Sequence, residues 1–114
     1  MAIPNDARVQ AESVLEEFCT AHSSEAGDDR LRYAYKFETN AVTLLAERPG
    51  FINPDEWLPT PKAKFRYSEA RNEWSLYWPD ANSKWHRVSG VKATKDLREL
   101  LRAVVSDSLG VFWS

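Results

Sequence analysis

Between residues 63 and 88 the chain reads AKFRYSEARNEWSLYWPDANSKWHRV, with large apolar groups returning at every second position. Phe65 and Tyr67 share one parity, and Trp74, Leu76 and Trp78 share another. A period of two puts alternate side chains on opposite faces of an extended strand, whereas a helix would need a period near 3.6. Two polar clusters break the pattern: Ser68–Asn72, and Pro79-Asp80-Ala81-Asn82, whose proline is pre-set for a turn. The segment is therefore three antiparallel strands. Strand three sets Ala63, Phe65 and Tyr67 against Lys64 and Arg66. Strand four sets Trp74, Leu76 and Trp78 against Glu73, Ser75 and Tyr77, and strand five is Ser83–Val88.

Two further strands precede these. In Leu31–Glu38, Leu31, Tyr33, Tyr35 and Phe37 alternate with Arg32, Ala34, Lys36 and Glu38. Thr39-Asn40 is a tight turn, since Asn tolerates positive φ. Ala41–Glu47 carries apolar groups on both faces, as a central strand would. Arg48–Lys62, RPGFINPDEWLPTPK, holds four prolines and a glycine, so it reads as irregular. Its Phe51, Ile52, Trp57 and Leu58 are expected to tuck onto the sheet.

Helices bracket the strands. Over residues 5–22, Ala7, Ala11, Val14, Leu15 and Phe18 form an apolar stripe, with Asn5 as the expected N-cap and Asp6 in the first turn. Residues 23–29 are polar and end it. Residues 95–107 carry a second stripe of Leu97, Leu100, Leu101, Val104 and Val105, with Thr94 as the expected cap. The closing Leu109–Trp113 is expected to pack back on the domain. Short connections imply a meander, and two amphipathic helices suffice to cover one of its faces. The expected fold is α+β: N-terminal helix, five-stranded antiparallel sheet, C-terminal helix, both helices on one sheet face. At 114 residues this is a single domain spanning the chain.

Composition narrows the function classes. The net charge of −2 lowers the prospect of a dedicated nucleic-acid binder, because phosphate neutralisation supplies most of that affinity. No apolar run approaches the roughly 20 residues that span a bilayer, and residues 1–14 lack the apolar core of a signal peptide. With one cysteine, Cys19, no internal disulfide forms. A cytoplasmic location follows as the expectation.

The pattern KFRY at 64–67, W-x-LYW at 74–78, KWHR at 84–87 and FW at 112–113 resembles an uncharacterised bacterial family, the domain of unknown function DUF3024. The resemblance extends over most of the chain. It departs at Val88, where members usually carry an aromatic. It implies a compact domain of bacterial or phage origin, and it transfers no activity and no catalytic residue.

Chemistry-bearing residues are sparse. Cys19 and His22 stand three apart on the first helix, a spacing two metal ligands can use, but a zinc site needs further ligands and the only other histidine is His86. A core cysteine and a helix-end histidine is the plainer reading. His86 is the one sheet residue able to exchange protons near neutral pH, and no partner for it is legible. No acid stands two before a lysine on a strand, as metal-dependent nucleases require, and no phosphate loop, dinucleotide fingerprint, zincin or nucleophile-elbow motif occurs. No cofactor, no metal and no catalysis are therefore expected.

What stands out is a basic and aromatic sheet face. Arg32, Lys36, Lys64, Arg66 and Tyr77 share it, joined according to register by Trp85 and Arg87 or by Lys84 and His86. Arg, Tyr and Trp are the residues that anchor protein interfaces. The expected role is a small non-enzymatic binding protein using Arg32, Lys36, Lys64, Arg66, Tyr77, Trp85 and His86 against a protein partner. Regulatory, inhibitory and immunity-type roles all fit. The alternative is a single-stranded nucleic-acid module using the same face, with cations on phosphates and rings under bases.

Overall fold

The computed structural model describes residues 3–23 and 31–106. In chain order α1 is Asn5–His22, β1 Arg32–Phe37, β2 Ala41–Pro49, β3 Trp57–Ser68, β4 Glu73–Pro79, β5 Trp85–Arg87 and α2 Leu97–Ser106. The strands lie side by side as β1-β2-β3-β4-β5, every neighbouring pair antiparallel. The fold is the expected α+β meander bracketed by helices.

The period-2 pattern explains the core. Val42 faces Phe37 and Phe65 across its neighbours, and Phe65 faces Leu76, so one parity of each strand builds a continuous apolar row. Ala11, Leu15, Phe18 and Cys19 of α1 and Leu97, Leu100, Leu101 and Val104 of α2 close over that row. Leu15, Leu44, Phe65 and Leu76 retain no accessible surface, each contributing about 1.5–3 kcal/mol of apolar transfer. α1 runs against β1: Ile3 N donates to Thr39 O at 3.0 Å at one end, and Phe18 meets Tyr33 ring to ring, 5.7 Å between centroids, at the other.

Both helix caps differ from expectation. Pro4 occupies the N-cap of α1 without a side-chain cap bond, and Asn5 is already helical, since proline's fixed φ enters a helix readily. At α2 the cap is Asp96, whose Oδ1 accepts from Arg98 N at 3.0 Å. Thr94 lies two residues earlier: its Oγ1 accepts from Asp96 N at 3.1 Å, and its backbone bridges Trp74.

The larger correction concerns residues 48–62. Most of this proline-rich stretch is strand. β2 continues to Pro49 and β3 begins at Trp57, pairing Glu47 with Pro59 and Leu45 with Pro61. Proline is tolerated because β4 pairs only with residues 64–68, leaving the first half of β3 as an edge where a missing N–H removes no ladder bond. A register shift at Leu44/Leu45 joins the two halves. The result is a two-stranded arm that extends the long axis to 45 Å against 28 and 22 Å for the others. The radius of gyration is 14.4 Å, against about 13 Å for a chain of this length in a compact shape. Nor do all four apolar residues tuck in: Phe51 is 100% and Ile52 96% exposed at the arm's tip. The loop at 24–29 and the tail at 109–113 lie outside the described residues.

Candidate functional site

The surface opposite the helices carries the cationic and aromatic residues, and the register arranges them in a transverse row. Lys36 faces Thr43, Thr43 faces Lys64, Lys64 faces Tyr77, and Tyr77 faces Arg87. With strands about 4.8 Å apart this row spans roughly 19 Å. Arg66 sits one pleat along, opposite Ala41 and Ser75. Trp85, opposite Pro79, lies one pleat the other way.

Within this patch rings and charges are tied together. The Lys64 ammonium lies 4.9 Å from the Trp85 ring centroid and 3.2 Å from Glu38 Oε2. The Arg66 guanidinium covers the Tyr77 ring at 4.7 Å. Thr43 donates from Oγ1 to Glu38 Oε1 at 2.8 Å. That bond first, and then the Lys64 ammonium, hold the Glu38 carboxyl below its ordinary value against some desolvation. The side chain of Lys64 is only 12% exposed, so its charge is seated in the surface rather than waving above it.

Small residues on β2 allow this. Ala41 and Thr43 point to the same side as the cations, yet both are buried. Their short side chains leave room for the long stems of the flanking strands to lie across them, apolar stem inward and charge outward. The expectation of a central strand buried on both sides is met here by lysine and arginine stems.

The expected site residues separate into three groups. Lys64, Arg66, Tyr77 and Trp85 come together, with Arg87 beside them and Lys36 at the far end of the row. Arg32 stands four residues from Lys36 along β1, about 13 Å away. There it pairs with Glu47 at 3.0 Å and covers the Trp57 ring at 4.0 Å. His86 is on the other side of the sheet, opposite Trp78, so it does not belong to the face. The turn fixes this outcome. Asp80 N donates to Lys84 O, Ser83 N to Asp80 O, and Ser83 takes φ 64°. A loop of that length ending in a left-handed residue delivers Trp85, not His86, to the cationic side.

His86 does have a partner that the sequence did not disclose. Its Nε2 lies 2.7 Å from Asp80 Oδ2, and its ring rests on Trp78 with centroids 4.9 Å apart. Asp80 Oδ1 also accepts from the backbone N–H of Asn82 and Lys84. The bond to His86, then those to the backbone, lower the Asp80 pKa. The pair braces the turn that carries β5.

Cys19, His22 and Tyr35 are each held by packing or by a hydrogen bond. Cys19 is buried, and burial pushes its thiol up to about 11. His22 rests against Phe18, ring centroids 4.4 Å apart. Tyr35 donates to Glu16, and burial together with that bond raises its hydroxyl. Among the described residues no three His, Cys, Asp or Glu side chains gather as metal ligands would, and no helix is long and apolar enough to cross a membrane. A cleft of about 770 Å³ lies on the helix side between the starts of α1 and α2, away from the cationic face. Residues of both charge signs line it, among them Asp6, Lys95 and Arg98.

The contributors that sequence reasoning missed are Glu38 and Thr43, the hub beneath Lys64, and Trp57 under Arg32. Glu38 and Thr43 flank a tight turn, a placement that brings parity-matched side chains of a hairpin together. Trp57 was hidden by the prolines around it.

No curated protein and no solved structure matches this chain. A family model does, over residues 3–114, and it is the one that the KFRY, W-x-LYW and KWHR segments resemble. The chain is a member of the DUF3024 family, a domain of unknown function.

Proposed function

We propose that this chain is a small non-catalytic binding protein that engages a protein partner through the cationic-aromatic sheet face. The observation that carries the reading is the state of the patch: Lys64 locked between Glu38 and the Trp85 ring, and Arg66 laid on Tyr77. Rings and cations already fixed on a rigid sheet lose little freedom on association, which is how preorganised anchors gain affinity. Arg66, Tyr77, Trp85 and Arg87 are the anchor types, and Lys36 and Arg87 at the two ends of the row offer charge to an acidic rim. Carboxylates inside the face, Glu38 among them, and the net charge of −2 argue against a phosphate track.

The test is an Arg66→Glu/Tyr77→Ala double variant compared with wild type in pull-downs from a native lysate of the source cell. The variant should keep its circular dichroism spectrum and lose the captured partner; an unchanged partner set removes the proposal. Titration of labelled single-stranded oligonucleotides gives the other arm. Flat, weak signals at low salt are expected, whereas tight binding that falls steeply with salt would replace the protein partner with nucleic acid.

A further inference from the structure

The β2–β3 arm displays two side chains that the fold does not use. Phe51 and Ile52 stand at its tip almost wholly in water. The turn that presents them is built, not slack: Gly50 N donates to Glu56 O at 2.7 Å, Glu56 N to Asn53 O at 3.1 Å, and Asp55 N to Asn53 Oδ1 at 3.2 Å. Gly50 is buried there, and a Cβ on it would stand 2.7 Å from Asn53 O, so the tip requires glycine. A hydrogen-bonded turn holding a phenyl and a branched aliphatic group outward is the form of an anchor, and exposed apolar groups of this size mark contact sites.

A receptacle of matching chemistry lies on the same chain. Val14, Phe18 and Ala21 of α1 and Leu101 and Val105 of α2 line an open groove of about 410 Å³. An apolar cavity of about 150 Å³ already admits benzene, so this one takes both tip side chains. Arg98 and Arg102 stand at the groove, while the tip carries Asp55 and Glu56. Arg98 is 3.5 Å from Glu17 in an exposed pair, which an incoming carboxylate displaces at little cost. The same carboxylates oppose an approach to anionic lipid.

Position completes the match. Arg32 opposite Glu47 and Pro49 opposite Trp57 place the tip beyond the start of β1, and Phe18 against Tyr33 places the groove's α1 wall at that same end. Arm and groove at one end of the molecule allow a reciprocal, two-fold exchange in which each copy gives and receives. We infer that Phe51 and Ile52 of one copy seat in the α1–α2 groove of a second copy, with Asp55 and Glu56 meeting Arg98 and Arg102. The inference is independent of the sheet face, which this dimer leaves open.

Sedimentation equilibrium on the full chain over a wide concentration range tests it. Wild type should reach a dimer. A Phe51→Ser/Ile52→Ser variant and a Val105→Glu variant should each remain monomeric with unchanged circular dichroism, since these three positions are exposed. Mixing the two variants should restore a weaker heterodimer, because one intact tip and one intact groove still meet. Phe51→benzoylphenylalanine should photo-crosslink to α1 or α2 of another copy. A wild type that stays monomeric, a dimer that survives either variant, a crosslink confined to one chain, or a monomer whose tip enters phosphatidylcholine vesicles would each overturn the inference.

Discussion

The alternation along β4 sets up a four-residue experiment on neighbouring side chains. Trp74 and Leu76 face the helices at 4% and 0% exposure, while Ser75 and Tyr77 face the cationic side. Leu76→Ala removes a group in contact with the core row beside Phe65, and large-to-small changes of this kind cost about 2–5 kcal/mol. Trp74→Ala also loses the edge contact with Tyr67, 4.9 Å between centroids, and belongs at about 3–5 kcal/mol. Ser75→Ala leaves no cavity and should stay within about 0.5 kcal/mol. Tyr77→Ala loses one side of the Arg66 contact, worth about 0.5–1 kcal/mol at a surface site, together with modest packing. With an unfolding entropy near 2.1 cal/mol/K per residue, Leu76→Ala should lower Tm by about 8–20 °C and Ser75→Ala by no more than about 2 °C. Thermal and urea unfolding followed by circular dichroism at constant m would measure the series. A Tyr77→Ala loss equal to that of Leu76→Ala would refute the assignment of faces, and the candidate site with it.

Other consequences are simpler to check. Asp96→Ala should destabilise by about 1 kcal/mol, seen as a small Tm shift, while Thr94→Val leaves the cap bond in place and costs less. Cys19 should react with a thiol reagent at pH 8 only as fast as the chain opens, because a thiol at about 11 is roughly one-thousandth ionised there. Glu38 is lowered in the folded chain, so its contribution is present above the ordinary glutamate value near 4.3 and is lost as pH falls through the folded value; Glu38→Gln should flatten an acid-unfolding curve in that range.

The strands from 63 onward were legible because their apolar residues alternate without interruption, and α1 because its stripe is long. The arm was not, since four prolines look like a loop unless one knows that β4 is too short to use that edge of β3. The caps were misplaced by one or two residues because Asn5, Thr94 and Asp96 are all competent cap types, and only the path of the chain selects among them. The face itself could be read from parity, but Trp85 and His86 alternate on a three-residue strand, and only the loop length from Asp80 to Lys84 decides between them. Pairs such as Asp80–His86 and Thr43–Glu38 depend on rotamers that no one-dimensional pattern records.

The shortness of β4 divides β3 energetically. Residues 64–66 are paired with strands on both sides and sit over the core, while residues 57–61 hold to β2 alone and bury little. A ladder bonded on one side and poorly buried opens without disturbing the rest. The backbone amides of Trp57, Leu58, Thr60 and Arg48 should therefore exchange with solvent by local opening, orders of magnitude faster than those of Val42, Phe65 or Leu76, whose exchange waits for global unfolding. The sheet then behaves as two units with different lifetimes, and the outer unit can reshape around what it meets while the inner one keeps the cationic face in register.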